Sequence, residues 1–254
     1  MRIVDPHHHL WNLDENHYPW LSGEPMEAVF GPYEPIRRNY LVSDLRSESR
    51  KHDLLKSVHI QTEFDPGNPV GETEWLQKVA DDPASGGLPN GIVGFCNFAE
   101  PGAEEILERH AAHPNFRGIR HILNHHADPV LTFTDRDYLK DETWVSNYAL
   151  LGRHDASFDL QLYWPQMEDA VRLANRYPSI LMVLNHTGMP HDRTPEGIEN
   201  WRAGMRALAS CDNIRCKISG LGMLDHDWTV ASIRPFVLDA LEIFGVGRSM
   251  FASN

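Results

Sequence analysis

Apolar segments of two kinds alternate along the chain. The segments 92–98 and 180–184 are nearly continuous in apolar residues, which is typical of parallel strands buried on both faces. The segment 166–176 repeats its apolar residues at helical spacing instead. By these patterns we predict strands within 3–9, 56–63, 92–98, 115–123, 159–164, 180–184, 214–220 and 249–254, and helices over 43–51, 72–81, 102–113, 144–153, 166–176, 194–209 and 233–244.

The order of the segments, strand then helix, repeats along the whole chain. Such alternation predicts a parallel sheet with helices outside it. Eight strands in 254 residues match a (β/α)8 TIM barrel, which typically has about 250 residues. No segment remains for a helix after 249–254, so we interpret the sequence as truncated after strand eight. An open doubly wound sheet is the alternative, and in either case we expect a single domain.

The segment 11–38 shows neither a helical nor a strand period and is rich in proline and aromatic residues. A loop of this length in a compact domain is uncommon and often functional. A structural wrap around one end of the barrel is the equal alternative. We expect the segment to lie over the barrel mouth.

Composition limits the classes of function. The formal net charge is −13 and no block of like charge stands out, which argues against nucleic acid or an anionic membrane as a partner. No apolar run approaches the roughly 18 residues of a membrane helix, and the N-terminus has no secretory pattern. We therefore expect a cytoplasmic protein that acts on a small molecule, and we assign no oligomeric state.

Three consecutive histidines follow the first apolar pair, in the run DPHHH at 5–9. Successive side chains of a strand point to opposite faces, so His7 and His9 share a face. Two imidazoles on one face can bind a divalent metal, or hold a carbonyl oxygen or a water. A tag remnant or a solvated turn is the alternative, but the strand-like context argues against it.

Polar residues also stand at the ends of other predicted strands. In a (β/α)8 barrel, the carboxyl ends of the strands meet at one mouth. Alternation along 56–63 places His59, Gln61 and Glu63 on one face, which indicates a pocket, with an exposed edge strand as the alternative. The residues that we expect at the mouth are His7, His9, His59, Gln61, Glu63, Arg120, His121, Gln161, His186, Lys217 and Asn254.

Several of these segments resemble one known family. The runs DPHHHLW (5–11), VHIQ (58–61), FRGIR (116–120), LNHTGMP (184–190), KISGL (217–221) and MFASN (250–254) look like those of the amidohydrolase superfamily. More narrowly, the chain resembles the amidohydrolase-2 group of metal-dependent TIM-barrel hydrolases. That group includes sugar-acid lactonases and a pyrone-dicarboxylate lactonase. The resemblance covers the whole chain, and the ordered set of segments is fairly specific.

The resemblance implies that His7 and His9 are the paired strand-one histidines and that His186 is the strand-six histidine. Three neutral imidazoles can bind zinc with a water in the open position. One divalent metal, zinc, is therefore expected, although metal-free lactonases are also known in this family. Asn254 stands where the family carries an Asp that takes a proton from water, and an amide cannot do this near neutral pH. Either Glu63 or a histidine replaces it, or the reaction needs only a weak base.

The expected function is lactone ring opening in a sugar acid or a related carboxylated ring. Arg120 would bind a carboxylate or hydroxyl of the substrate, with a salt bridge to a barrel carboxylate as the alternative. Lys217 would line the pocket or pair with Asp159. The other residues expected to line the pocket are His59, Gln61, Gln161 and Trp164.

Two other functions stay open. A metal-dependent decarboxylase of an aromatic or unsaturated acid would use the same barrel. Such an enzyme usually needs an acidic strand-eight ligand, so Asn254 argues against it. A non-catalytic small-molecule binder would keep the pocket and lack the base, since fold alone does not fix function.

Overall fold

A computed structural model describes residues 1–254, in which eight parallel strands form one sheet in chain order. The strands are β1 (Arg2–His8), β2 (Asp53–Ile60), β3 (Gly91–Gly94), β4 (Phe116–Ile122), β5 (Ser157–Gln161), β6 (Met182–Leu184), β7 (Ile214–Ile218) and β8 (Ser249–Phe251). The α-helices are α1 (Pro19–Ser22), α2 (Val42–Glu48), α3 (Gly71–Asp81), α4 (Ala103–Ala111), α5 (Glu142–Asn147), α6 (Met167–Arg176), α7 (Pro195–Ala209) and α8 (Val230–Phe244).

The sheet curls into a nearly closed barrel. Its first and last strands meet through the residues that follow β8. The Asn254 N–H donates to the His7 carbonyl at 2.9 Å, and the Ser253 N–H donates to the Asp5 carboxylate at 3.1 Å. The strand order follows the chain without reversal, whereas a doubly wound sheet reverses its order at a switch point. The TIM-barrel prediction is confirmed.

Alternation along the strands separates a core from a polar barrel interior. In β5, Phe158 and Leu160 belong to the main hydrophobic core, which also includes residues of α6, α7 and α8. Asp159 and Gln161, the intervening residues, are also buried but make polar contacts. The strand period therefore delivers polar side chains to the barrel interior. None of the helices is both long and apolar enough to traverse a bilayer.

Several strands end earlier than the sequence predicts. The predicted strand 56–63 ends at Ile60, and 92–98 ends at Gly94. After Ile60 the Gln61 side chain bonds the backbone N–H of Glu63, which has a φ of 55°. The chain turns at this point, so polar residues after the strand no longer follow its alternation.

The segment 11–38 contains more regular structure than its sequence pattern predicts. The helix α1 forms one turn with Pro19 at its first position, where proline needs no N–H partner. The segment is tied to loops that follow two strands. Trp20 Nε1 donates to the Thr62 carbonyl at 2.8 Å, and His226 Nε2 lies 3.2 Å from the Val29 carbonyl. These contacts place it on the side of the barrel where the strands end.

Candidate active site

The paired histidines lie together at the end of β1. His7 Nε2 and His9 Nε2 are 3.3 Å apart. The Ile60 carbonyl lies 2.8 Å from His9 Nδ1 and can only accept a hydrogen bond. His9 therefore carries its proton on Nδ1, and its Nε2 lone pair faces His7. His9 thus presents an unprotonated Nε2 at the barrel mouth.

His186 joins this pair from a strained turn after β6. Its ring centroid lies 4.8 Å from that of His7. His186, Thr187 and Met189 have φ angles of 52°, 56° and 44°, which are uncommon outside glycine. Backbone strain of this kind persists only where the surroundings fix it and often marks a functional site. Here Gly220 leaves room, because a Cβ at that position would lie 2.7 Å from the His186 ring.

The three imidazoles are neutral at pH 7. Burial is the largest cause that lowers the pKa of His7, His9 and His186 well below the usual histidine value. The positive charge of Arg120 lowers all three further, and that of Lys217 lowers the pKa of His7 and His186. The cluster therefore offers nitrogen lone pairs rather than positive charge.

Arg120 on β4 is a buried cation with uncharged hydrogen-bond partners. Its side chain donates to Gln161 Oε1 at 3.3 Å and to the Gln61 carbonyl, while its Nε has no partner. Burial lowers its pKa more than the attraction of nearby carboxylates raises it. The predicted alternative, a salt bridge, is not what the structure shows. The guanidinium keeps capacity for an anionic or strongly polar group.

Lys217 on β7 does form an ion pair. Its ammonium group contacts Asp159, and both side chains are 3% exposed. Asn185 Nδ2 donates to the same Asp159 oxygen at 2.8 Å. Of the two alternatives that the sequence left open for Lys217, the structure therefore shows pairing with Asp159. Lys217 is therefore paired within the protein and is not a free cation for a substrate.

The donor atoms around His9 fit a divalent metal in part. A tetrahedral zinc with bonds of ~2.0–2.1 Å separates two ligand nitrogens by about 3.3–3.4 Å. The His7 and His9 Nε2 atoms are 3.3 Å apart, and Asn254 Oδ1 is 3.3 Å from His9 Nε2. No group of three His, Cys, Asp or Glu side chains is arranged to hold an ion. The histidine pair thus fits a metal, and His186 as third ligand stays a prediction.

The remaining predicted site residues lie in three different surroundings. His59 is fully buried, with its ring nitrogens 3.1 Å from the Leu10 amide and 3.2 Å from a Glu72 oxygen. It therefore supports the barrel wall and has no free nitrogen for a substrate. Glu63 is exposed and accepts a hydrogen bond from Gln61 Nε2 at 2.6 Å. Trp164 is half-buried and packs against the main hydrophobic core.

Two carboxylates that the sequence analysis missed organise the site. Asp5 accepts hydrogen bonds from the His7 N–H at 3.2 Å and from Ser253, and so ties β1 to the end of the chain. Glu72 is buried beneath His59 in the first turn of α3. The sequence did carry a signal for Glu72, since it lies four residues before the apolar Leu76 and hence on the buried face.

A parallel eight-stranded barrel with three neutral imidazoles and a buried guanidinium at its mouth defines a TIM-barrel enzyme. The profile of the Amidohydrolase family matches residues 4–254, and the chain belongs to this family.

Comparisons with individual relatives are consistent with membership of this family. Protein y4mH of Sinorhizobium fredii is 45% identical over 253 residues, which span 99% of this chain and 84% of y4mH. L-fucono-1,5-lactonase of Burkholderia multivorans is 28% identical over 263 residues, 99% of this chain and 81% of the lactonase. A solved amidohydrolase of Burkholderia multivorans with bound zinc gives a TM-score of 0.76 at 26% identity and covers 99% of this chain and 83% of that one. The protein is a hydrolase with a small-molecule substrate.

Proposed function

We propose that this hydrolase opens the lactone ring of a sugar acid or a related carboxylated ring. The proposal rests on one observation: neutral imidazole nitrogens lie near the buried guanidinium of Arg120, which has no charged hydrogen-bond partner. Hydrolysis of a lactone needs a proton acceptor for water and a positive group for the oxyanion that develops. The similarity to L-fucono-1,5-lactonase supports this choice of substrate class.

Arg120 is the proposed group for the anion. Attack of water on the ring carbonyl, with one proton passing to the proton acceptor, gives a tetrahedral oxyanion. Collapse of the oxyanion breaks the bond between the carbonyl carbon and the ring oxygen, and the proton passes from the acceptor to that oxygen to give a hydroxyl. A guanidinium can donate hydrogen bonds to the oxyanion, or bind a carboxylate on the ring with two parallel hydrogen bonds. Gln161 limits the orientations of Arg120, because its amide oxygen accepts from the guanidinium and its Nε2 donates to Asn124 at 3.2 Å.

His9 is the first candidate for the proton acceptor. Its Nδ1–H is fixed on the Ile60 carbonyl, so its Nε2 accepts a proton or a hydrogen bond from water. Its lowered pKa keeps this nitrogen unprotonated at pH 7, although it also makes the base weaker. Glu63 is the second candidate, since its exposed carboxylate lies close enough to Arg120 to raise the pKa of that residue.

We propose that His7 and His9 hold one divalent metal through their Nε2 atoms, zinc in the first instance, with His186 beside them. With the ion bound, His9 Nε2 has no lone pair for a proton, so Glu63 is then the proton acceptor, and His9 takes that role only in a metal-free enzyme. When bound, such an ion polarises a carbonyl and lowers the pKa of water to about 7, which would compensate for the missing strand-eight Asp. The fit of the two Nε2 atoms to the zinc geometry and the zinc-bound relative support this assignment.

The segment 11–38 is proposed as a cover for the mouth. It contacts Thr62 after β2 and His226 after β7, two loops that flank the neighbouring strands β1 and β8. A cover of this kind would exclude water from the ion and the substrate.

A panel of substrates tests the proposed function. Aldono-1,5-lactones, carboxylated lactones, simple esters and amides are offered to the protein with added zinc and with a chelator. Proton release reports hydrolysis of the lactones and esters, and amine release reports hydrolysis of the amides. We expect turnover of at least one lactone and a loss of rate with the chelator. Turnover of none of these compounds in either condition would refute the proposal.

A further inference from the structure

The ends of β1 and β2 are joined by a reciprocal pair of hydrogen bonds. The two strands pair in parallel as far as His8 and His59. Beyond that point the Leu10 N–H donates to His59 Nδ1 at 3.1 Å, and His9 Nδ1 donates to the Ile60 carbonyl at 2.8 Å. Each histidine therefore bonds to the residue that follows the other, which extends the ladder by side-chain contacts.

These contacts determine where each imidazole carries its proton. The Leu10 N–H can only donate, so His59 Nδ1 is unprotonated and its Nε2 carries the hydrogen. That Nε2–H points at a Glu72 carboxylate oxygen 3.2 Å away. His9 has the opposite arrangement, with its hydrogen on Nδ1 and its lone pair on Nε2. The state of His59 thus depends on an acceptor at Glu72, and the Leu10 contact depends on the state of His59.

Glu72 has the properties of such an acceptor. It is 2% exposed and lies in the first turn of α3, where the helix dipole favours negative charge. It also accepts from the Thr62 N–H at 3.1 Å and from Thr62 Oγ1 at 2.5 Å. Burial raises its pKa to about 7, so the carboxylate is kept in this position against a desolvation penalty. An apolar side chain could fill the same space, but it would leave the His59 Nε2–H unpaired.

We propose that Glu72 and His59 are positioning residues that hold the end of β1 against β2, and so keep His9 Nδ1 on the Ile60 carbonyl that sets its tautomer. Glu72 holds the hydrogen of His59 on Nε2, His59 then holds the Leu10 N–H, and the β1 end keeps the His9 Nε2 lone pair toward the mouth. This inference rests on the proposed role of His9 in hydrolysis. Removal of such supporting partners typically lowers metal affinity or activity about 10–100-fold.

The test compares Glu72→Leu with Thr73→Val. Leucine fills the space of Glu72 and removes both oxygens, so the His59 Nε2–H and the Thr62 N–H lose their acceptor. Thr73 is a matched control, because it lies in the same helix and bonds another buried imidazole, His110, at 2.9 Å. Long-range ¹⁵N–¹H spectra of the chelator-treated protein report the tautomer of His9, and steady-state kinetics on the best lactone report kcat and KM separately.

We expect E72L to produce a mixture of His9 tautomers and to lower kcat about 10–100-fold, with KM changed less than threefold; T73V should alter neither. Unchanged His9 spectra in E72L, or equal losses in E72L and T73V, would overturn the inference. If E72L does not fold, His59→Leu tests the same chain of contacts, because it removes the acceptor for the Leu10 N–H. Because the spectra need no turnover, failure of the lactonase proposal and failure of this inference are separable.

Discussion

Replacement of Arg120 by glutamine should separate activity from stability. Glutamine keeps an amide donor for the Gln161 oxygen but removes the charge. Loss of one donor that stabilises an oxyanion lowers the rate about 10²–10³-fold, or ~2.7–4 kcal/mol.

The free energy of unfolding of R120Q should respond differently from its activity. Arg120 is 4% exposed, and burial lowers its pKa more than Glu63, Asp159 and Glu72 raise it. Burial of this charge therefore costs free energy of folding, and R120Q should be at least as stable as the wild type.

The assay measures kcat/KM for a lactone and urea unfolding on the same preparations of wild type, R120Q and Arg120→Lys. Lysine keeps the charge and loses the planar fork, so R120K should retain more activity than R120Q. An R120Q protein with kcat/KM within threefold of the wild type would refute the role of Arg120 in the reaction. An R120Q protein that is inactive and also several kcal/mol less stable would show that Arg120 acts structurally.

Three further outcomes follow from the same physical picture. Lys217→Met leaves Asp159 buried without its cation and should lower the free energy of unfolding by about 3–5 kcal/mol. Adding Asp159→Asn should restore part of this loss, as measured by urea unfolding. A double variant whose loss equals the sum of the two single losses would contradict the pairing. Burial lowers the pKa of His110 and His121 to about 4. Because the unfolded chain takes up these protons first, stability should be full above pH ~6.5 and fall below it by about 1.4 kcal/mol per pH unit for each histidine, down to pH ~4. Denaturant titrations with the same midpoint at pH 7 and pH 5 would contradict this. Asn254→Asp places a negative charge next to the histidine pair and should tighten zinc by about 1–4 kcal/mol, measured by calorimetry; unchanged affinity would remove position 254 from the metal site.

The sequence was sufficient for the barrel and for the histidine cluster. The strand period placed His7 and His9 on one face, and a barrel brings strand ends together, so His186 could be assigned to the same mouth. The same logic failed for His59. We predicted that His59 shares a strand face with Gln61 and Glu63. β2 ends at Ile60, so the alternation stops there, and the His59 side chain bonds Glu72 of α3 instead.

Pairing of buried charges could not be predicted from local patterns. Alternation predicted that Arg120, Asp159 and Lys217 are polar residues in a buried setting. Which of the two cations pairs with the carboxylate depends on distances across the barrel, and the structure shows Lys217 with Asp159. The uncharged hydrogen-bond partners of Arg120 follow from that pairing, and they support the proposed function more directly than any motif.

The proposed function depends on the addition of water to a lactone carbonyl at the barrel mouth, with His9 as proton acceptor or metal ligand. Mass spectrometry can follow product formation from L-fucono-1,5-lactone and carboxylated lactones in ¹⁸O-labelled water, with wild type and His9→Asn compared. We expect one ¹⁸O in the carboxylate of the acid formed by the wild-type protein, at a rate well above that of buffer, and a rate near that of buffer for H9N. Equal rates for wild type, H9N and buffer would contradict this role of His9.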